Sequence, residues 1–115
     1  MDTTYDFCSL LAEMIEESGM SKISFYTKLG IKKPYFYDIL SGKTNPPPPK
    51  RQFDMIKLLK PPKEKAILFF NAAAEKRKEV PADVAKRLED NELLMKLREN
   101  IDYNKLVEIG ENENG

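Results

Sequence analysis

The chain contains no histidine and no tryptophan, and its single cysteine is Cys8. One cysteine cannot form an internal disulfide, and a chain without histidine lacks the ligands of most zinc sites and one half of a Cys–His catalytic pair. A glycine-rich phosphate-binding loop is also missing. We therefore expect no enzymatic activity and no cofactor. Because Cys8 lies among Phe7, Leu10 and Leu11, we expect it to be a small, buried apolar side chain.

Long apolar segments are missing as well. No stretch reaches the roughly 18 apolar residues that a membrane span needs, and the acidic N-terminal segment has no apolar signal core. We therefore expect a cytoplasmic protein with no membrane partner. No alternating apolar pattern is long enough to predict a strand, and eight prolines and five glycines divide the chain into short segments. The sequence predicts an all-α fold.

The N-terminal half predicts two helices joined by a short turn. The first is expected to run from Ser21, a good N-terminal cap, to Gly30, which can adopt the left-handed conformation that ends a helix. We predict that the second begins at Pro34, with Lys33 as its cap, and stops at Gly42, because proline suits the first helical position. Two helices separated by a glycine-containing turn are typical of a helix–turn–helix.

Further helices are predicted on both sides of this pair. A helix over residues 5–18 is expected to be capped by Thr3 or Thr4, and the four prolines at 46–49 predict a stiff, extended connector. Helices over 50–59 and up to about Lys78 follow, then a sixth and a seventh. The residues predicted to face the core are Phe53, Ile56 and Leu59, then Ile67, Phe70 and Ala74 with Phe69 and Ala73 beside them, then Val84 and Leu88.

The C-terminal part carries more apolar residues than a small domain needs for its own core. We predict that residues 79–110 form a helical extension that joins two copies of the chain, and that the polar residues 111–115 are disordered. Asn91 is expected to cap the main helix of the extension, and Asp102 a last short helix. Alternatively, the extension packs back on the fifth helix. The predicted dimer interface consists of Leu93, Leu94, Leu97, Ile101, Leu106 and Ile109.

Charge is unevenly distributed, although the formal net charge is zero. Residues 1–19 carry five acidic residues and no basic ones, whereas residues 20–60 carry nine basic residues against Asp38 and Asp54, a net charge of +7. The basic segment contains the predicted pair of helices. A surface that faces nucleic-acid phosphates requires such a concentration of positive charge.

Residues 7–60 resemble the lambda-repressor-like helix–turn–helix domain, also called the XRE or Cro/C1 type. The matching residues are Met20-Ser21, Leu29-Gly30-Ile31, Phe36, Ile39, Ser41-Gly42-Lys43 and Pro46. The resemblance implies a five-helix DNA-binding domain, to which we assign residues 1–78, with double-stranded DNA as its partner. The segment at 79–85 resembles one that follows this domain in small regulators of Gram-positive bacteria and their phages.

The resemblance also implies which residues meet DNA. Lys22 stands where a polar residue contacts the DNA backbone, and Ser41 and Lys43 stand where the loop after the helix pair contacts phosphates. The positions that meet base edges are those of Lys32, Lys33, Pro34, Tyr35 and Asp38. Lysine can donate to guanine, and a carboxylate such as that of Asp38 can accept from cytosine. The candidate DNA-binding residues are Lys22, Lys32, Lys33, Pro34, Tyr35, Tyr37, Asp38, Ser41 and Lys43.

Two features depart from the family pattern. Tyr26 stands where relatives have alanine, so the angle or distance between the two helices is expected to differ. Ile15 and Leu40 stand where many relatives have an arginine–glutamate pair, which suggests an apolar contact in place of the ion pair.

These observations favour a sequence-specific DNA-binding regulator, acting as a homodimeric repressor on a palindromic operator. The alternative is a protein-binding module on the same fold, such as an antitoxin or a phage-encoded inhibitor. That alternative is motivated by the aromatic residues 35–37, because exposed tyrosines are typical anchors of protein interfaces.

Overall fold

The computed structural model describes residues 6–106, and its regular structure is entirely helical within that range. The all-α prediction is therefore confirmed for this part of the chain. The chain divides into two compact units, one ending at Asp83 and the other beginning at Val84. None of the described helices is both long and apolar enough to cross a membrane. The helices are α1 (Phe7–Ser18), α2 (Lys22–Leu29), α3 (Lys33–Ser41), α4 (Pro49–Leu59), α5 (Lys63–Arg77), α6 (Ala82–Arg87) and α7 (Asn91–Glu99).

The core of the first unit is formed where α1 packs against α3, α4 and α5, and where α2 packs against α3 and α4. Its largest fully buried side chains include Phe7, Phe25, Phe36 and Phe69. The rings of Phe7 and Phe69 lie 5.1 Å apart and join α1 to α5. Burial of one such side chain contributes about 1.5–3 kcal/mol, so these rings supply much of the stability of a small unit.

The first helix begins later than predicted. Asp6 is its N-terminal cap, and the backbone N–H of Ser9 donates to Asp6 Oδ2 at 3.1 Å. The prediction of Thr3 or Thr4 as the cap is therefore wrong, because a carboxylate three residues before Ser9 satisfies that orphan donor. Residues 1–5 themselves lie outside the described part of the chain. The predicted end at Gly19 is confirmed by its left-handed φ of 80°.

The predicted face of α4 is confirmed at Leu59 but not at Phe53 and Ile56. Gln52, Met55 and Leu59 are buried, whereas Phe53 and Ile56 lie half-buried at the edge of the core. The reason is local, because Gln52 Nε2 donates to the carbonyl oxygen of Pro47 at 2.8 Å inside the unit. A buried carbonyl needs such a donor, so the amide displaces the more apolar neighbour from the centre of the face.

The predicted face of α5 is also corrected in part. Phe69, Phe70, Ala73 and Ala74 are buried as expected, but Ile67 is 43% exposed. Ala72, which was not predicted, completes the buried face. Small alanine side chains allow neighbouring helices to lie close, whereas Ile67 lies at the edge of the face that carries the two phenylalanine rings.

The second unit contains α7, which is capped by Asp90 and not by Asn91 as predicted. Asp90 Oδ1 accepts from the backbone N–H groups of Glu92 at 2.9 Å and Leu93 at 3.3 Å. The helix ends at Glu99, so the predicted interface residue Ile101 lies outside it. A carboxylate placed before the first turn is a better cap than the asparagine one residue later, because it reaches two orphan N–H groups at once.

Helical backbone begins again at Tyr103, and Asp102 Oδ1 accepts from the backbone N–H of Lys105 at 3.1 Å, which confirms Asp102 as a cap. Val84 is exposed, so its predicted inward position is wrong, while Leu88 is half-buried. The predicted interface residue Ile109 and the predicted disordered residues 111–115 lie outside the described range.

Candidate nucleic-acid interface

The two helices of the candidate interface are α2 and α3, which are joined by residues 30–32. Ser21 caps α2 as predicted, with the backbone N–H of Ser24 donating to Ser21 Oγ at 3.0 Å. Gly30 ends α2 with a φ of 83°, a left-handed conformation that costs glycine no Cβ clash. The backbone N–H of Ile31 then donates to the carbonyl oxygen of Tyr26 at 3.1 Å, which closes the turn.

The start of α3 differs by one residue from the prediction. Lys32 is the N-terminal cap, Lys33 is the first helical residue and Pro34 the second. No side chain accepts a hydrogen bond from the first turn, since the cap is a lysine. The free N–H groups and the positive end of the helix dipole therefore add to the charge of Lys32 and Lys33 at this helix end.

An aromatic cluster holds α2 and α3 together around Phe36, which is completely buried. The Phe36 ring lies 5.2 Å from the ring of Tyr26, 5.8 Å from that of Phe25 and 5.1 Å from that of Tyr37. Tyr26 is half-buried and packs on this ring. The Tyr26 side chain is thus accommodated by packing on Phe36 of α3.

The predicted DNA-binding residues fall into two groups in the structure. Tyr35 and Asp38 are half-buried, and Tyr35 packs against the hydrophobic core, so only part of the Tyr35 side chain is available to a partner. Pro34, Tyr37 and Ser41 lie on the side of α3 away from the core, together with Asp38. The exposed group consists of Lys22, Lys32, Lys33, Pro34, Tyr37, Ser41 and Lys43.

The lysines of this surface are not neutralised by neighbouring acids. Within residues 6–106, the ion pairs involve lysines and arginines of α5 and α6 only, and none involves a lysine of α2, of α3 or of the loop after α3. The acidic face of α1 is tied elsewhere, because Lys65 of α5 pairs with Glu13 and Glu17. The positive charges of these exposed lysines therefore remain available to attract an anionic partner.

The loop after α3 is fixed by hydrogen bonds that sequence reasoning missed. Arg77 Nη1 donates to the carbonyl oxygen of Pro46 at 3.0 Å, and Arg77 Nε pairs with Glu79 at 2.9 Å. The hydrogen bond from Arg77 lowers the pKa of Glu79, and the same contact raises the pKa of Arg77. The position of Arg77 in the last turn of α5 predicts only a favourable interaction with the helix dipole. The structure shows that Arg77 also holds the proline connector through its hydrogen bond to Pro46. Two of the connector's prolines, Pro46 and Pro47, are buried, and composition alone does not signal this.

Arg51 is a second basic residue whose role differs from that of the lysines. Its Nη1 donates to the carbonyl oxygen of Leu29 at 3.0 Å, so it holds the end of α2 against α4. Arginine suits this task because its planar guanidinium can donate in a fixed direction. The net charge of +7 therefore includes one charge that is used within the protein.

Comparison of the chain with known protein families, with curated proteins and with solved structures gave no match.

Proposed function

We propose that this chain is a sequence-specific DNA-binding transcriptional regulator of the lambda-repressor-like type, which acts as a homodimeric repressor on a palindromic operator. The observation that carries the proposal is the surface around α2 and α3, where exposed lysines without acidic partners surround a short helix held by buried aromatic rings. A rigid helix with a basic surround meets the two needs of a DNA reader, base contact and phosphate contact.

The test is a mobility-shift titration of the full chain on the DNA upstream of its own gene, at several salt concentrations. A specific shift with a palindromic footprint is expected, and it should weaken steeply with salt because bound phosphates displace counterions. Lys33→Ala with Lys43→Ala should reduce the slope of log K against log salt by roughly 1.8, about 0.9 for each phosphate that is no longer neutralised.

A charge-matched control is provided by Lys63→Ala with Lys96→Ala, two exposed lysines outside the proposed surface. This variant carries the same net charge, so it should keep the wild-type salt slope and affinity. Equal losses in the two variants would contradict a localised DNA surface, and no shift by the wild-type chain at micromolar concentration in low salt would contradict DNA binding itself.

The homodimer is supported by the second unit, in which α7 has no fully buried residue and Leu97, Ile101 and Leu106 are each more than two-fifths exposed. Light scattering of the full chain should give the mass of two copies. Leu97→Glu should produce a monomer, because a charge at an apolar contact is unfavourable. Met95→Glu, on the opposite side of α7, should stay dimeric. A wild-type mass of one copy would contradict the dimer.

A second candidate function is a protein-binding module, such as an antitoxin or a phage-encoded inhibitor. It is favoured by Tyr37, which is 40% exposed while its ring packs edge-on against Phe36, and which is therefore a rigid aromatic group available to a partner. In this case binding to one protein would persist at high salt and would fall at least about thirtyfold in Tyr37→Ala, which corresponds to the hot-spot threshold of about 2 kcal/mol. Retention of binding by Tyr37→Ala would contradict it.

A further inference from the structure

The C-terminal end of α5 carries three consecutive basic residues at 76–78. At the end of a helix, such residues interact favourably with the helix dipole. This helix end also lies beside the loop that follows α3, because Arg77 Nη1 donates to the carbonyl oxygen of Pro46 at 3.0 Å. We propose that Lys76 contacts a DNA phosphate, so that α5 extends the DNA-binding surface beyond α2, α3 and their loops. This inference rests on the proposed DNA-binding function.

Lys76 and the loop after α3 line the same small cavity. Its volume is about 90 Å³, which is room for several water molecules and therefore for the oxygens of one phosphate group. The loop contributes Gly42, Thr44 and Asn45 to the lining, on both sides of the predicted phosphate contact Lys43. The cavity therefore connects the end of α5 to the part of the loop where phosphate contacts are expected.

The side-chain donors around this cavity have no acceptor among residues 6–106. The Lys76 ammonium group forms no ion pair there, and neither the Thr44 hydroxyl nor the Asn45 amide forms a hydrogen bond. Arg77 differs, because its guanidinium already pairs with Glu79. An ammonium, a hydroxyl and an amide are all groups with which proteins bind the phosphates of DNA. Three unused donors at one cavity are therefore the observation that points to a phosphate.

The acidic residues near this helix end do not cancel the charge of Lys76. Glu79 is neutralised by its ion pair within the helix end. Asp6, which also lines the cavity, accepts from the backbone N–H of Ser9 at 3.1 Å and from its hydroxyl at 3.3 Å. Glu75 directly precedes Lys76 in the helix, and adjacent helical residues do not face each other. The ammonium group of Lys76 is therefore available to an anion.

The experiment measures the affinity of the full chain for the DNA upstream of its own gene at several salt concentrations. Lys76→Ala should reduce the slope of log K against log salt by roughly 0.9, the value for one phosphate contact. Lys63→Ala removes the same charge from an exposed position at the other end of α5, and it should keep the wild-type slope. Lys76→Arg should also keep the wild-type slope, since arginine binds phosphate as well.

Ethylation interference identifies the phosphate itself. Ethylation of one particular phosphate in each half-site should weaken binding by the wild type and by Lys63→Ala. The same ethylation should have no effect on Lys76→Ala, because the contact with that phosphate is already lost. If Lys76→Ala instead lowers the urea midpoint of unfolding and changes the interference at every phosphate, Lys76 is a structural residue and its phosphate contact is refuted.

The remaining outcomes separate this inference from the proposed function. If the wild type binds specifically and Lys76→Ala keeps both the salt slope and the interference pattern, the contact is refuted and the proposed function stands. Equal reductions of the slope in Lys76→Ala and Lys63→Ala would show a general effect of charge, which also refutes the contact. If the wild type does not bind at micromolar concentration in low salt, the proposed function fails and the role of Lys76 fails with it.

Discussion

Arg51 Nη1 donates a hydrogen bond to the carbonyl oxygen of Leu29 at 3.0 Å, across 22 residues of sequence. This bond joins α4 to the last turn of α2, directly before the turn that leads into α3. The carbonyl belongs to the last turn of a helix, where oxygens have no partner in the helix itself. Arg51 therefore holds the end of α2 against α4 and in this way helps to position α3.

Loss of this bond should destabilise the first unit. We expect Arg51→Ala to lower the free energy of unfolding by about 1–2 kcal/mol, because a partly buried carbonyl loses a charged donor. The adjacent, exposed Lys50→Ala removes the same charge and should change it by less than about 0.5 kcal/mol. Urea unfolding of the three proteins measures the difference, and equal effects of the two variants would show that charge matters here and the bond does not.

The loss in the free energy of unfolding on replacing Gln52 should depend on which residue replaces it. It is 2% exposed, its Nε2 donates to Pro47 O, and its Oε1 has no hydrogen-bond partner in the described protein. Gln52→Met keeps the volume, loses one bond and removes the unsatisfied oxygen, so we expect a loss of about 1 kcal/mol. Gln52→Glu should cost more than about 3 kcal/mol at neutral pH, because a buried carboxylate has no donor there.

The Gln52→Glu variant also has a defined pH dependence. Its carboxyl would be neutral in the folded chain and able to donate to Pro47 O, so its folded-state pKa would be raised. The stability it contributes is present at acid pH and is lost as the pH rises. Urea unfolding as a function of pH should therefore show Gln52→Glu approaching wild type in acid, and a constant difference between the two would contradict burial at this position.

The parts of the fold that could be predicted are those decided by neighbouring residues. Ser21, Gly30 and Gly42 set helix ends through their own side chains or backbone freedom, and the structure has these ends where the sequence predicted them. The observed start of α3 differs from the predicted start by one residue. Neither Lys32 nor Lys33 has a side-chain oxygen that could cap the helix, so the backbone conformation alone determines where the helix begins.

The parts that could not be predicted depend on contacts that a residue makes outside its own helix. The buried face of α4 follows from the need of Pro47 O for a donor, and Tyr35 is half-buried because the core lies beneath it. Charge distribution points to the lysines of the candidate interface, but Arg51 belongs to the same charge cluster and serves inside the protein. Periodicity reports which side of a helix is apolar, and it does not report which backbone oxygen a distant side chain must satisfy.

Acid should unfold the first turn of α7 selectively. The backbone N–H groups of Leu93 and Glu92, with a further contribution from Arg87, hold the pKa of Asp90 below its ordinary 3.8. The folded state therefore favours the carboxylate, and its contribution is complete above pH 3.8 and is lost as the pH falls through the lowered folded value. Amide chemical shifts of Glu92 and Leu93 in an acid titration should report this loss.

The matched control for this titration is Asp90→Asn. An asparagine oxygen can accept the same backbone hydrogen bonds but does not titrate, so the amide shift of Leu93 should change far less in acid than it does in wild type. Asp90→Ala should show the acid-like shifts at neutral pH. If Asp90→Asn titrates like wild type, the change in α7 has a source other than its cap.

Cys8 should react slowly with thiol reagents while the chain is folded. Cys8 is half-buried and not fully buried as predicted. This partial burial, and then the nearby Asp6 carboxylate, raise the pKa of the Cys8 thiol, and its Sγ donates to the carbonyl oxygen of Ile39 at 3.2 Å. Since the thiolate is the reactive form, the rate with an aromatic disulfide reagent near neutral pH should be at least about tenfold lower than in urea. Equal rates in the two conditions would contradict this arrangement.

The pH dependence of that reaction separates the charge of Asp6 from burial. Asp6→Asn removes the carboxylate but leaves an oxygen that can still cap α1 at Ser9, so the thiol pKa should fall and the folded-state rate should rise while the unfolding midpoint changes little. Asp6→Ala removes the cap as well, so both rate and stability should change. A rate in Asp6→Asn identical to wild type at every pH would mean that Asp6 does not contribute to the raised pKa of Cys8 and acts only as the cap.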